Sequence, residues 1–261
     1  MGDLLKRVAP KVFARDLLAN FNDMFGMEKA RFKQTEIKRE LTSFFGNITI
    51  GECKKKLLIT SFSLGGGSLT SLPHYQPVVF HNLANDKNSN DLPVVDALLR
   101  SSAAPAGYFP IYQGHIDGGI WGNNPTPALI AEVARNSFDE WKLGFLKFRS
   151  SLTKKLDSLR VLSFGTGMNI RSITAENESA DWGVVPWLRK GHLLELFTGD
   201  ASTVSLHYFS KSLLGPKYHR IQPILKENID LHEYQKMELL EKLGKELDIS
   251  PTLKWLGDYW R

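Results

Sequence analysis

One cysteine, Cys53, is all that 261 residues contain. An intrachain disulfide and a thiolate metal site are both excluded, and a reducing compartment is the simplest setting. No apolar run approaches the roughly 18 residues that a membrane-crossing helix needs. The opening MGDLLKRVAP has no apolar stretch ahead of a cleavage site, and Lys6 stands where N-myristoylation wants Ser or Thr. The expected location is the cytoplasm, with peripheral attachment to a membrane as its variant. Concentrated basic patches with interleaved aromatics are missing too. The 33 basic and 28 acidic residues are dispersed, and +5 is a mild excess. That argues against nucleic acid as a partner and for an ordinary solvated surface. A G-x-G-x-x-G after a strand is absent, so a Rossmann-type cofactor domain is set aside, and neither cofactor nor metal is expected. The last absence matters most. Gly-x-Ser-x-Gly, the strained elbow that exposes a nucleophilic serine, occurs nowhere in the sequence.

What is present is an ordinary globular composition, 42% hydrophobic and 23% charged. The length supports one sizeable core, and no composition break marks a second domain. Leu4, Leu5, Val8, Val12, Phe13, Leu17 and Phe21 recur at three- and four-residue spacing, and Ile37, Leu41, Phe44 and Phe45 repeat the pattern before Gly46. Residues 1–54 therefore read as a helical lead-in that packs on a sheet or lies in a membrane interface. Strands are expected at Lys55–Phe62, Pro77–Asn82, Arg160–Phe164 and Tyr218–Ile224, the last on an edge because Pro223 ends it. Residues 55–225 form the expected sheet core, and 226–261 a charged amphipathic helix along Leu231, Tyr234, Met237, Leu240, Leu243 and Leu247. Thr126 is placed as a helix N-cap with Pro127 at the first helical position. Gly65, Gly66 and Gly67 read as a flexible loop, with an anion cradle as the sharper alternative. Trp182 and Trp187 would suit a lipid interface, but a buried core is the commoner place for such aromatics. Alternating helices and apolar, non-alternating strands predict an α/β fold in one domain: a mostly parallel sheet in three layers, covered by helices, with its site at the carboxyl ends of the strands.

The segment from Ser101 to Thr126, SSAAPAGYFPIYQGHIDGGIWGNNPT, carries the chemistry. Asp117 stands between a short apolar run and the pair Gly118-Gly119. The glycines allow a sharp turn where a side chain would collide, and they leave the carboxylate accessible. Ser101–Ala104 are small enough for backbone to pack on backbone, and Pro105, Phe109 and Pro110 fix the exit. Taken alone, an aspartate before two glycines also fits a plain turn. His115, two residues earlier, shares a strand face with Asp117 and is a candidate orienting group.

This segment, together with the L-S-F-G-T-G run Leu162–Gly167, resembles the second half of a patatin-like phospholipase, over roughly residues 55–225 in order. The resemblance implies a lipid acyl hydrolase in which the D-G-G aspartate, here Asp117, is the base of a Ser-Asp dyad, with Gly118 and Gly119 completing the motif. It implies no histidine role. It also implies a three-layer patatin-like sheet that here lacks its N-terminal strands and the elbow serine. Ser63, in SFSLGGGS, is the weak candidate nucleophile within the chain: it has Gly65 after it but Ser61 where the first glycine belongs, and its segment matches a later strand of the family. The expectation is a truncated domain that supplies the aspartate, acts on membrane or micellar lipid, and is inactive alone. An upstream fragment carrying G-x-S-x-G is its expected partner. The alternative is a catalytically inactive patatin-like domain that binds lipid or protein.

Overall fold

The computed structural model describes residues 2–13, 30–65, 74–83, 87–105, 107–135, 145–169, 182–188, 199–230 and 232–260. The expected helical turn through Leu17 and Phe21, Gly66 and Gly67, and Leu231 lie outside them. The chain divides into two compact units, Met1–Ala128 and Leu129–Arg261.

In the first unit, β1 (Leu58–Ser63) is the centre of a three-stranded sheet, with β2 (Gln76–His81) on one side and β3 (His115–Asp117) on the other. Both ladders are antiparallel; Leu58 faces His81, and Ser61 faces Asp117. The expected mostly parallel sheet is therefore corrected for these strands. An apolar run reports burial, but the direction of its neighbour is set by the connection. Burial within β1 also differs from the expectation, since its buried residues are Thr60, Ser61 and Ser63. Their small size lets other backbone approach closely. Helix α1 (Gly2–Val12) and helix α2 (Gln34–Phe45) precede the sheet. The second ends at Gly46, as the sequence indicates, because φ of +60° there suits glycine. Short helix α3 (Lys87–Asn90) leads to α4 (Val94–Ser101), which packs beside β1.

Two apolar clusters hold this unit. Ile50, Phe80, Val94 and Ala97 form one, with Ile59, Val78 and Leu98 against it. Burying a side chain such as Ile50, which is fully inaccessible, contributes about 1.5–3 kcal/mol. Val12, Phe32 and Phe109 form the other, joined by Val8, Phe13, Ile37 and Tyr108. Val8 and Val12 of α1 thus pack within this unit, while Leu5 is exposed. Lys11 and Glu40 tie α1 to α2 at 2.8 Å. The backbone N–H of Phe32 donates to the Tyr108 carbonyl at 3.0 Å, which anchors the segment leading to β3.

After α5 (Gly119–Gly122) and α6 (Thr126–Arg135), the second unit contains α7 (Phe145–Ser158), β4 (Val161–Phe164), β5 (Met168–Asn169), α8 (Val184–Leu188), α9 (Asp200–Leu214), β6 (Tyr218–Ile221) and β7 (Ile224–Leu225). Here the pairing is parallel, β4 with β6 and β5 with β7. Ile130, Val161, Leu214 and Tyr218 make its core. The expected long C-terminal helix is two helices, α10 (Met237–Glu246) and α11 (Ser250–Tyr259). Asp248 breaks the run by accepting the Ser250 N–H at 2.9 Å, and Pro251 starts the new helix. Among the described residues the architecture is mixed helix and small sheets, of α/β type.

Candidate active site

Asp117 is the last residue of β3, and three backbone contacts fix it. Its N–H donates to the Ala103 carbonyl at 3.0 Å, the Gly118 N–H donates to Ser101 at 3.2 Å, and the Gly122 N–H closes back on Gly118 at 2.8 Å. The small-residue segment therefore lies beside the aspartate, as its composition suggests. Ala103 is fully buried, so backbone packs on backbone there.

The two glycines answer different needs. At Gly118 φ is −65°, which any residue adopts; what it needs is space. A Cβ on Gly118 stands 2.2 Å from the Thr60 carbonyl oxygen. A Cβ on Gly119 stands 3.1 Å from the Asp117 carboxylate itself. Glycine at 118 serves the approach of the turn to β1, and glycine at 119 serves the carboxylate.

One carboxylate oxygen, Oδ1, accepts the Gly119 N–H at 2.7 Å. Asp117 thus does close a turn, opening α5. Among the described residues its other oxygen accepts no hydrogen bond, which leaves a lone pair for a proton. Burial pushes the Asp117 carboxyl above its ordinary value, opposed by the Gly119 N–H bond. Folding therefore favours the protonated form. The stability this group contributes is full below the ordinary carboxylate range, near pH 4, and is lost as pH rises through the higher folded-state value. Asp117→Asn removes that loss while its amide oxygen still accepts the Gly119 N–H. The variant is expected to be the more stable at pH 7, with the gap closing toward pH 3, in urea melts at each pH. A midpoint that tracks the unsubstituted protein at every pH would put Asp117 in ordinary water.

His115 shares the sheet face of Asp117, and its Nδ1 lies 2.8 Å from the Gln113 carbonyl. Burial lowers its pKa, aided by the charge of Arg100. It is thus a neutral, buried ring turned to its own turn, with no hydrogen bond to Asp117. Ser63 lies directly across from His115 in the ladder, 3% exposed, and its Oγ accepts the Gly65 N–H at 3.2 Å. It ends a regular strand, whereas an elbow serine projects from a strained turn.

The Gly165–Gly167 loop belongs to the second unit, and its glycines serve packing. A Cβ on Gly165 falls 1.6 Å from Gln222 Oε1, and φ at Gly167 is +109°. Arg220 holds that Gln222 oxygen through Nε and Nη2 and reaches Ser163 Oγ at 2.6 Å. At the helix that follows the aspartate turn, the side chain accepting the first N–H belongs to Asn124, to which Thr126 N–H donates at 3.2 Å. That acceptor lies two residues before Thr126, the expected cap. Sequence reasoning placed Trp121 beside Asp117 as an apolar neighbour but missed its hydrogen bond: the indole N–H donates to the Ser61 carbonyl at 2.7 Å. It missed Arg100 and Gln113 too; the Gln113-Gly114 pair before a strand was the available signal for the latter.

No group of three or more His, Cys, Asp or Glu able to hold a metal ion occurs among the described residues. No helix among them is long and apolar enough to cross a membrane.

No family model matches the chain. Curated relatives do. CotR of Bacillus subtilis, which carries the name of a sporulation hydrolase, is 24% identical over 245 residues, covering 86% of this chain and 70% of CotR. A cGAMP-activated phospholipase of Pseudomonas aeruginosa is 29% identical over 199 residues, 74% of this chain and 51% of that protein. Patatin-like protein 2 of Arabidopsis thaliana is 26% identical over 210 residues, 70% of this chain and 50% of that protein. The chain thus spans about half the length of the latter two.

Proposed function

We propose that this chain, whose curated relatives are patatin-like hydrolases, is the aspartate-bearing portion of a Ser-Asp lipid acyl hydrolase. Asp117 is the base, and the nucleophilic serine belongs to a G-x-S-x-G segment outside residues 1–261. The observation that carries this is the state of the carboxylate. One oxygen is fixed by the Gly119 N–H at 2.7 Å, the other accepts no hydrogen bond among the described residues, and burial raises the carboxyl above its ordinary value.

In this reading the unengaged oxygen of Asp117 takes the serine proton as the serine oxygen attacks the ester carbonyl. The carbon–oxygen bond to the alcohol breaks, and the alcohol leaves with the proton that Asp117 returns. Water then attacks the acyl-serine, giving its proton to Asp117; the bond from acyl carbon to serine oxygen breaks, Asp117 returns that proton to the serine oxygen, and the fatty acid departs. A carboxylate with an ordinary pKa of about 3.9 is a weak base at neutral pH. Desolvation improves it. The backbone donors for the oxyanion belong with the serine segment. The substrate is an ester at a membrane or micelle surface.

Isolated residues 1–261 are expected to show no turnover of a short-chain p-nitrophenyl ester above buffer, and Ser63→Ala to change nothing. Turnover that vanishes in Ser63→Ala would install Ser63 as the nucleophile. A second reading, an inactive lipid- or protein-binding domain, draws support from the turn-closing bond of Asp117 Oδ1. It predicts no hydrolysis when an upstream segment carrying G-x-S-x-G is added; the first reading predicts hydrolysis.

A further inference from the structure

Just ahead of β3 the chain reverses through Tyr112–His115. Tyr112 N–H donates to the His115 carbonyl at 3.1 Å, and His115 N–H to the Tyr112 carbonyl at 3.0 Å. Both central residues have positive φ, +48° at Gln113 and +74° at Gly114. That is the signature of a type I′ turn, which normally places Asn, Asp or Gly first. Gln113 is the only non-glycine residue with positive φ among those described. A long side chain there is disfavoured and needs something to hold it.

Arg100 supplies that hold. It sits at the end of α4, 8% exposed, and its Nη2 donates to Gln113 Oε1. Its Nε and Nη1 are buried and have no hydrogen-bond partner among the described residues. No carboxylate within ion-pair distance of it occurs among the described residues; Asp96, one helical turn away, accepts the Tyr112 hydroxyl at 2.6 Å. The guanidinium rests 5.5 Å from the Phe80 ring centroid. A buried cation with two unused donors is unfavourable by itself. Among the described residues, the one side-chain acceptor it does reach is the amide of the strained turn residue. Arg100 is tied to the site by its backbone as well: its carbonyl lies 3.2 Å from the Ser61 hydroxyl, which also lies 3.1 Å from the Ile116 carbonyl. The next carbonyls along, Ser101 and Ala103, hold Gly118 and Asp117.

We propose that Arg100 is a positioning residue whose hydrogen bond to the Gln113 side chain clamps the left-handed turn and so sets the place of β3 and of Asp117 at its end. Where Asp117 acts as the base, the clamp aligns it; that consequence rests on the function proposed above, while the clamp does not.

The test uses the whole 261-residue chain and needs no activity. Two NMR readouts are followed: exchange of the His115 amide, which reports turn closure, and titration of the Asp117 carboxyl. Gln113→Ala, at an exposed position, keeps the side-chain strain and removes the acceptor. It is expected to speed His115 exchange about tenfold and to move the Asp117 titration down toward the ordinary carboxylate range. Arg100→Met should do the same. Gln113→Gly, free of strain, should match the unsubstituted protein on both readouts, and Arg100→Met combined with Gln113→Gly should restore Arg100→Met toward it. If Gln113→Ala leaves both readouts unmoved, the clamp is overturned. If the double variant behaves as Arg100→Met alone, Arg100 matters only to general folding and the proposal again fails. Should Arg100→Met not fold, the Gln113→Ala and Gln113→Gly pair decides.

Discussion

Asp117→Asn is expected to lower lipid ester hydrolysis by about 10³–10⁴-fold once the chain is joined by a segment carrying G-x-S-x-G. The size follows from the loss of a positioned base, and removing a single member of a nucleophile–base unit has effects of this order. Asparagine keeps the shape of the side chain, and its oxygen still accepts the Gly119 N–H, so the turn into α5 survives. What it cannot do is take the serine proton. Far-UV circular dichroism should therefore be unchanged while kcat falls. In the unsubstituted protein the rate should rise with pH through the raised titration of Asp117, because only the ionised form is a base. Retention of a tenth or more of the rate by the variant would remove Asp117 from the chemistry.

The largest stability effect is expected from Gly118→Ala, about 3–5 kcal/mol of destabilisation, at the severe end of single substitutions. The added methyl lands 2.2 Å from the Thr60 carbonyl oxygen and 2.5 Å from its Oγ1. Neither can yield cheaply: the carbonyl belongs to the central strand, and Gly122 and Trp121 hold the same turn from the other side. Gly257→Ala provides the contrast. It lies inside α11 with nothing within 4 Å of the added carbon, and alanine there should stabilise by about 0.5–1 kcal/mol. Urea midpoints of both variants check the pair. A Gly118→Ala protein with a near-normal midpoint would mean the turn stands farther from β1 than 2.2 Å implies.

Local signals carried the sequence reading furthest. The end of α2 at Gly46, the strand cores, the break at Pro223 and the contact between Ser101–Ala103 and Asp117 all follow from residues near one another in the chain. Strand direction did not follow. Leu58, Ile59 and Phe62 announce a strand, but the antiparallel partners are chosen by connections whose composition does not encode orientation. The polar burial of Thr60, Ser61 and Ser63 was equally hidden, because a hydroxyl is buried only where a distant carbonyl meets it; for Ser61 those carbonyls are on Arg100 and Ile116. The site divides the same way. The tight turn at Asp117 was legible from its own neighbours, whereas Arg100 gains meaning only through Gln113, across a turn that Gly114 alone announces.

The sheet order β2-β1-β3 leaves two outer strands with unequal prospects for recruiting another chain. At the end of β3 the outward N–H groups of Asp117 and Gly118 are already spent on Ala103 and Ser101, so an intruding strand would first have to strip them away. Among the described residues β2 has no strand on its outer flank, but Pro77 within it has no N–H to offer. Intermolecular strand addition, the common route to aggregation for small sheets, thus meets an interrupted template on one side and an occupied one on the other. The occupied side is the one that carries the aspartate.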